Sequence, residues 1–218
     1  MEERDIIART KAFVKLQLKD AEGGHDWFHI ERVYNNAVRI SEEEPVDGLV
    51  VRLAALLHDI ADPKFHGGDE KLGPKIAGDF LRSLAVETEL IDHIVAIIAN
   101  MSFKNSLDPG TTFSSKEMEV VQDADRLDAI GAIGIARAFN YGGFKNRALY
   151  DPDIAPVLNM TKAEYKKSTA PTINHFYEKL LLLKERMHTA TARKLADARH
   201  QYMLRYLEQF YAEWKGDR

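Results

Sequence analysis

Four side chains carry chemistry that this sequence can be read for: His29, His58, Asp59 and Asp125. His58 and Asp59 end a run, Leu49 to Leu57, that is apolar apart from Arg52 and so reads as a buried helix. An imidazole and a carboxylate are thereby delivered into or beside a core, where a carboxylate needs a partner. Neutral imidazole with carboxylate suits Zn, Mn, Fe or Ni, whereas carboxylate and water alone would favour Mg or Ca. One dication would neutralise Asp59 and Asp125 and leave positions for water, as metal-assisted hydrolysis requires. The spacing also fits a plainer account: a helix-terminal His58 bonded to a neighbour, a capping Asp59 and a core-edge His29. Adjacent residues do not share a helix face. His58 and Asp59 therefore meet one ion only if it lies off the helix side or the helix ends there.

A hydrolytic metal points to a phosphate ester or anhydride, and phosphate needs cations. Arg32 stands one turn from His29, Lys64 follows Asp59 by five residues, and Lys104 follows the stretch NMSF. Lys145 and Arg147 follow Gly142-Gly143, read as a flexible loop able to close over a ligand. His175 and Lys179, four apart, share a helix face. Asp62, three residues past Asp59, could transfer a proton near the metal or open an Asx turn before Pro63.

The elements that must position these groups are helical in pattern. A first helix covers 2–19, and Asp26 caps a second whose Ile30, Val33, Ala37 and Ile40 recur at helical spacing. Pro45 and Gly48 lead into the buried helix over 49–61. Loops are expected at 62–73 and 101–115, with helices near 74–84 and 86–100 between them. Ser115 caps a helix over 116–139, in which Gly131 and Gly134 suggest close approach by a neighbouring helix. Residues 140–159 read as a long irregular lid or binding segment. Helices follow over 172–188 and 190–214, the last turning Leu195, Tyr202, Met203, Tyr206, Phe210 and Trp214 inward. Few stretches alternate with period two, so the expected class is all-α. One domain is expected, with a metal-site helical core over 1–139 and a lid loop and C-terminal helical annex over 140–218.

Composition narrows the function classes. The 218 residues are 45% hydrophobic and 29% charged, ordinary for a globular chain. The 30 Lys+Arg against 34 Asp+Glu leave a net charge of −4 and no basic tail, which disfavours nucleic acid as the main partner. No apolar run reaches the roughly 20 residues of a membrane span. The stretch MEERDIIARTKAF reads as a charged helix rather than a signal peptide. Cysteine is absent, so there is no thiolate metal site, and the cytoplasm is the expected compartment.

The ordered set of His29 in HDWFHIERV, His58-Asp59 in LLHDIAD and Asp125 in VQDADRLDAIG resembles the H…HD…D pattern of the HD superfamily of metal-dependent phosphohydrolases. The segments HIERVYNNA, NMSFK, GGFKNRALYDP and NHFYEKLLLLKERM extend the likeness over nearly the whole chain, toward a bacterial branch of YpgQ/YedJ type. The resemblance implies an HD-domain helical bundle in which His29, His58, Asp59 and Asp125 bind one divalent metal, Mn first, with Mg, Ni, Co, Fe or Zn as alternatives. It selects Asp125 over Asp123 and His29 over His25. Two-metal relatives carry a histidine pair before the last aspartate, whereas this chain offers only His66 and His93 there, so a single metal is implied. Asp62, Lys64 and Arg32 become candidate catalytic groups, and Lys104, Lys145, Arg147, His175 and Lys179 candidate substrate contacts. The implied activity is pyrophosphohydrolysis of (deoxy)nucleoside triphosphates to monophosphate and pyrophosphate. A phosphomonoesterase, a cyclic-nucleotide phosphodiesterase and a non-catalytic nucleotide or metal sensor stay open as alternatives, as does a homodimer.

Overall fold

The computed structural model describes residues 1–19, 21, 26–61, 69–101, 113–161, 164 and 167–218. The all-α expectation holds: among the described residues there is no strand, and no helix is long and apolar enough to cross a membrane. The chain divides into two compact units, Met1–Asp125 and Arg126–Arg218.

The first unit is organised around its third helix. It holds α1 (Glu3–Gln17), α2 (Trp27–Ser41), α3 (Gly48–Leu57), α4 (Leu72–Ser83), α5 (Thr88–Asn100) and most of α6 (Lys116–Asp128). Val50, Val51 and every residue from Leu53 to Leu57 are buried, with Arg52 the half-buried exception between them. Helix α3 packs against α1, α2 and α5, and α4 lies on α5. Burying one leucine in such a core contributes about 1.5–3 kcal/mol, so α3 can be set by packing alone. Its start is set by chemistry: Asp47 Oδ1 accepts the Leu49 and Val50 N–H groups at 2.8 and 3.1 Å. The Asp47 N–H donates in turn to Glu117 Oε1 at 3.0 Å, tying the start of α3 to the first turn of α6. Ser115 Oγ caps α6 through the Met118 N–H at 3.1 Å, as expected. The buried helix ends earlier than its apolar run suggested: helical backbone stops at Leu57 and a turn occupies 58–61.

The second unit contains the end of α6, then α7 (Gly131–Phe144), α8 (Asn174–Glu178), a 3-10 turn (Leu180–Arg186) and α9 (Ala190–Lys215). The single helix expected over 116–139 is broken at Ala129-Ile130. Gly131 has φ +76°, and a Cβ there would stand 3.0 Å from Cβ and Cγ of Arg199 on α9. Gly134 makes room for something else: a Cβ would overlap the Ala129 carbonyl of the break itself. One glycine thus admits the neighbouring helix and the other admits the chain's own turn. Helix α9 lays Ala192, Ala196, Met203 and Leu207 against its unit, while Tyr202 and Trp214, expected inward, are about half exposed. Phe139, Phe176 and Tyr206 form an aromatic core, with Phe176 and Tyr206 stacked at 5.9 Å.

Candidate metal centre

Each of three ligand candidates sits at a helix end. His29 lies in the first turn of α2, where Asp26 Oδ1 accepts its backbone N–H at 3.0 Å. That contact is an N-cap, and it orders the turn that holds the imidazole. His29 is buried, 2% exposed. His58 is the C-cap of α3, so the helix does end at the His-Asp pair. Its Nδ1 lies 2.9 Å from the Ala55 carbonyl. A carbonyl only accepts, so Nδ1 carries the proton and Nε2 is left with its lone pair, the usual way a protein orients a ligating histidine. The plainer account of His58 is therefore correct in its hydrogen bond, and that bond is what a metal ligand needs.

Asp125 stands in the last turn of α6. Its Oδ1 is 3.5 Å from His29 Nε2. This exceeds the N–H···O range of about 2.7–3.2 Å. It matches two ligands of one ion, whose bonds of about 2.0–2.2 Å place neighbouring donors roughly 3–3.5 Å apart. The His29 and His58 rings meet edge to face, centroids 5.5 Å apart. One ligand atom from each of His29, His58 and Asp125 lies within 4.8 Å of the others. Two imidazoles, one with its outer nitrogen anchored, and one carboxylate form a donor set that fits a borderline divalent cation.

The other candidates fall elsewhere. Asp59 follows in the turn after α3, half-buried and engaged in contacts, outside the group of three. Arg32 sits on α2, half-buried and partnered. His93 is committed to Ser115 Oγ at 3.0 Å, with Glu117 at 3.7 Å. His25, Asp62, Lys64, His66 and Lys104 lie outside the described residues, as do most of the two expected loops.

In the second unit, Arg147, His175 and Lys179 come together. Burial, reinforced by Lys179 and then Arg147, holds the His175 imidazole down at about 4, so it is neutral beside two cations. Arg147 donates to the Ser168 carbonyl at 2.6 Å and lies over the Tyr141 ring at 5.6 Å. Lys145 is exposed, its Nζ 4.8 Å over Phe144. The Gly142-Gly143 pair is not a loop. Both residues belong to the last turn of α7, and a Cβ on Gly142 would overlap Thr172 Oγ1. Gly142 serves helix packing, and the irregular segment starts only after Phe144.

One contributor escaped the sequence reading. Asn36, two turns beyond His29 on α2, donates Nδ2–H to the Ala124 carbonyl at 3.1 Å, next to Asp125. Its only sequence signal is a polar residue at seven-residue spacing from His29.

The chain is similar to known proteins over nearly its whole length. The HD domain family matches residues 27–130. Bacillus subtilis YpgQ is 38% identical over 99% of this chain and 97% of its own length. The crystal structure of an HD-superfamily hydrolase from Bacillus thuringiensis superposes with a TM-score of 0.79 at 44% identity, covering 98% of this chain and 99% of that one. The crystal structure of B. subtilis YpgQ in complex with ADP gives a TM-score of 0.78 at 37% identity, over 98% and 97% of the two chains. Likeness of this extent, with histidines and an aspartate converging where the H…HD…D pattern places them, means that the chain belongs to the HD superfamily of hydrolases, in the branch that includes YpgQ.

Proposed function

We propose that this hydrolase acts on nucleotides, converting (deoxy)nucleoside triphosphates to the monophosphate and pyrophosphate, with one Mn ion as its metal. The observation that carries the reading is the convergence of His29, His58 and Asp125 within 4.8 Å. The nucleotide class is supported by the relative YpgQ, whose crystal structure holds ADP.

His29 Nε2, His58 Nε2 and an Asp125 oxygen would hold the ion, with Asp59 as the fourth ligand of the family pattern. A divalent ion there supplies Lewis-acid polarisation of a phosphoryl oxygen and a bound water of lowered pKa. The Ala55 carbonyl keeps the proton on His58 Nδ1 and so keeps Nε2 a donor. In the proposed reaction the water oxygen bonds to the α-phosphorus, the bond from that phosphorus to the bridging oxygen breaks, and pyrophosphate leaves. Asp62 is proposed to move the proton, and Arg32, Lys64 and Lys104 to contact phosphate. Lys145, Arg147, His175 and Lys179 are proposed as substrate contacts. The cytoplasm, where triphosphates are made, is the proposed compartment.

The test is a panel of deoxynucleoside triphosphates, nucleoside monophosphates and bis-p-nitrophenyl phosphate, each with Mn, Co, Ni, Mg or Zn and with products identified by mass. Monophosphate and pyrophosphate are expected. Release of inorganic phosphate would exclude attack at the α-phosphorus. Absence of turnover with every metal would turn the reading toward a sensing module.

A further inference from the structure

The Asp125 side chain is 45% exposed, whereas that of His29 is 3% exposed. Packing of the carboxylate itself therefore does little to place it, and its position is set by the main chain that carries it. That main chain is the last turn of α6, a helix end whose final carbonyls lack partners within the helix.

The structure grips this turn from several directions. Asn36 Nδ2–H donates to the Ala124 carbonyl, one residue before Asp125, at 3.1 Å. Arg199 Nη1–H donates to the Leu127 carbonyl, two residues after Asp125, at 2.5 Å. Arg137 donates to the Asp128 carbonyl at 3.4 Å and pairs with the Asp128 carboxylate, which is 2% exposed. The bonds from Ala129 N–H to the Arg126 carbonyl and from Ile130 N–H to the Leu127 carbonyl complete the end. Ala124 and Leu127 are fully buried. Two guanidinium groups at a helix C-terminus also oppose its negative dipole end. Gly131 is part of the device, since a Cβ there would crowd the stem of Arg199, 3.0 Å from its Cβ and Cγ. Asn36 shares a face of α2 with His29, so the helix that presents one ligand also holds the turn that presents another.

We propose that Asn36 and Arg199 are positioning residues for Asp125: they fix the backbone of the last turn of α6 and thereby set the affinity of the metal centre. Both are assigned this role through their hydrogen bonds to main-chain carbonyls. This inference rests on the metal-centre reading, and its test separates the two.

Mn(II) affinity is measured on the full chain by the paramagnetic resonance signal of the free ion, with urea denaturation in parallel to score folding. Asn36→Ala and Arg199→Met remove the two donors, and Arg199→Met keeps most of the stem over Gly131. Direct hydrogen-bond partners of metal ligands typically change affinity 10- to 100-fold; these donors reach Asp125 through flanking carbonyls, so each variant should fall at the low end and bind Mn(II) about 10-fold more weakly. Arg199→Lys, which keeps the charge without the fork, should fall between. Arg39→Ala, on the same helix as Asn36 but paired at the surface with Glu43, should match wild type. Asn36→Ala introduces a strong helix former, so it decides the matter should Arg199→Met fail to fold. Affinities within twofold of wild type for both, with Asp125→Ala losing the ion, would overturn the positioning role and leave the centre standing. A wild-type chain that takes up no Mn(II) would overturn the centre and this inference with it.

Discussion

Acidifying the protein should destabilise it through His175, and the size of the effect follows from its surroundings. The ordinary imidazole value is 6.5; burial beside Lys179 and Arg147 brings it to about 4 in the folded chain. Between these values the unfolded chain binds the proton that the folded chain refuses, so stability rises with pH across the window. The contribution of the neutral imidazole is fully present above pH 6.5 and is lost as pH falls toward 4. At pH 5 the linkage amounts to about 2 kcal/mol relative to pH 7, a large part of a typical margin of about 5–15 kcal/mol. The perturbation is His175→Gln, which keeps a polar group but cannot titrate. Urea denaturation of wild type and variant at pH 7 and pH 5 isolates the contribution of His175, because the carboxylates are common to both. Wild type should lose about 2 kcal/mol more than the variant on acidification. Equal losses, or a proton NMR titration that finds His175 near 6.5, would refute the burial argument. The functional counterpart is that positive charge at this cluster comes from Arg147 and Lys179 at every physiological pH.

Two further expectations test the local structure. Asp26→Ala removes the cap on the His29 N–H and should cost about 1 kcal/mol, or roughly 2–4 °C in melting temperature for a chain of this size, with Asp26→Ser recovering most of it in a calorimetric scan. Gly142→Ala should destabilise by about 1–3 kcal/mol, the cost of overpacking a filled site, because its Cβ overlaps Thr172 Oγ1; a neutral result by urea denaturation would return Gly142 to a loop role.

Much of the helical frame is legible in the sequence, because its signals are local. The run from Leu49 to Leu57 has no polar face apart from Arg52 and can only be buried. Asp26 and Ser115 are caps by residue type and place, and both cap. The break before Gly131 is harder to read, since apolar residues continue through it at Leu127, Ile130 and Ile135 and periodicity carries the eye across. Only the positive φ, which no pattern of hydrophobicity encodes, marks it. The four consecutive leucines from Leu180 to Leu183 likewise hide a 3-10 turn, because an unbroken apolar run has no phase. In the long last helix, small residues such as Ala192 and Ala196 take the inner stripe, leaving Tyr202 and Trp214 outside. At the site, residue types named the three convergent groups. The contacts that orient them end on the main-chain carbonyls of Ala55, Ala124 and Leu127, and a carbonyl has no letter in a sequence.

The bond from His58 to Ala55 has a consequence for how this centre tolerates change. Its acceptor belongs to the peptide backbone, so no ordinary replacement at position 55 can delete it. Ala55 is also wholly enclosed, which restricts that position on separate grounds. The tautomer of His58 is therefore insulated from point mutation and vulnerable only to shifts in where α3 stops. The His29 turn has no such insurance, because its anchor is the Asp26 side chain, which one nucleotide change can remove. Across variants of this protein, drift in the centre should enter from the α2 side first.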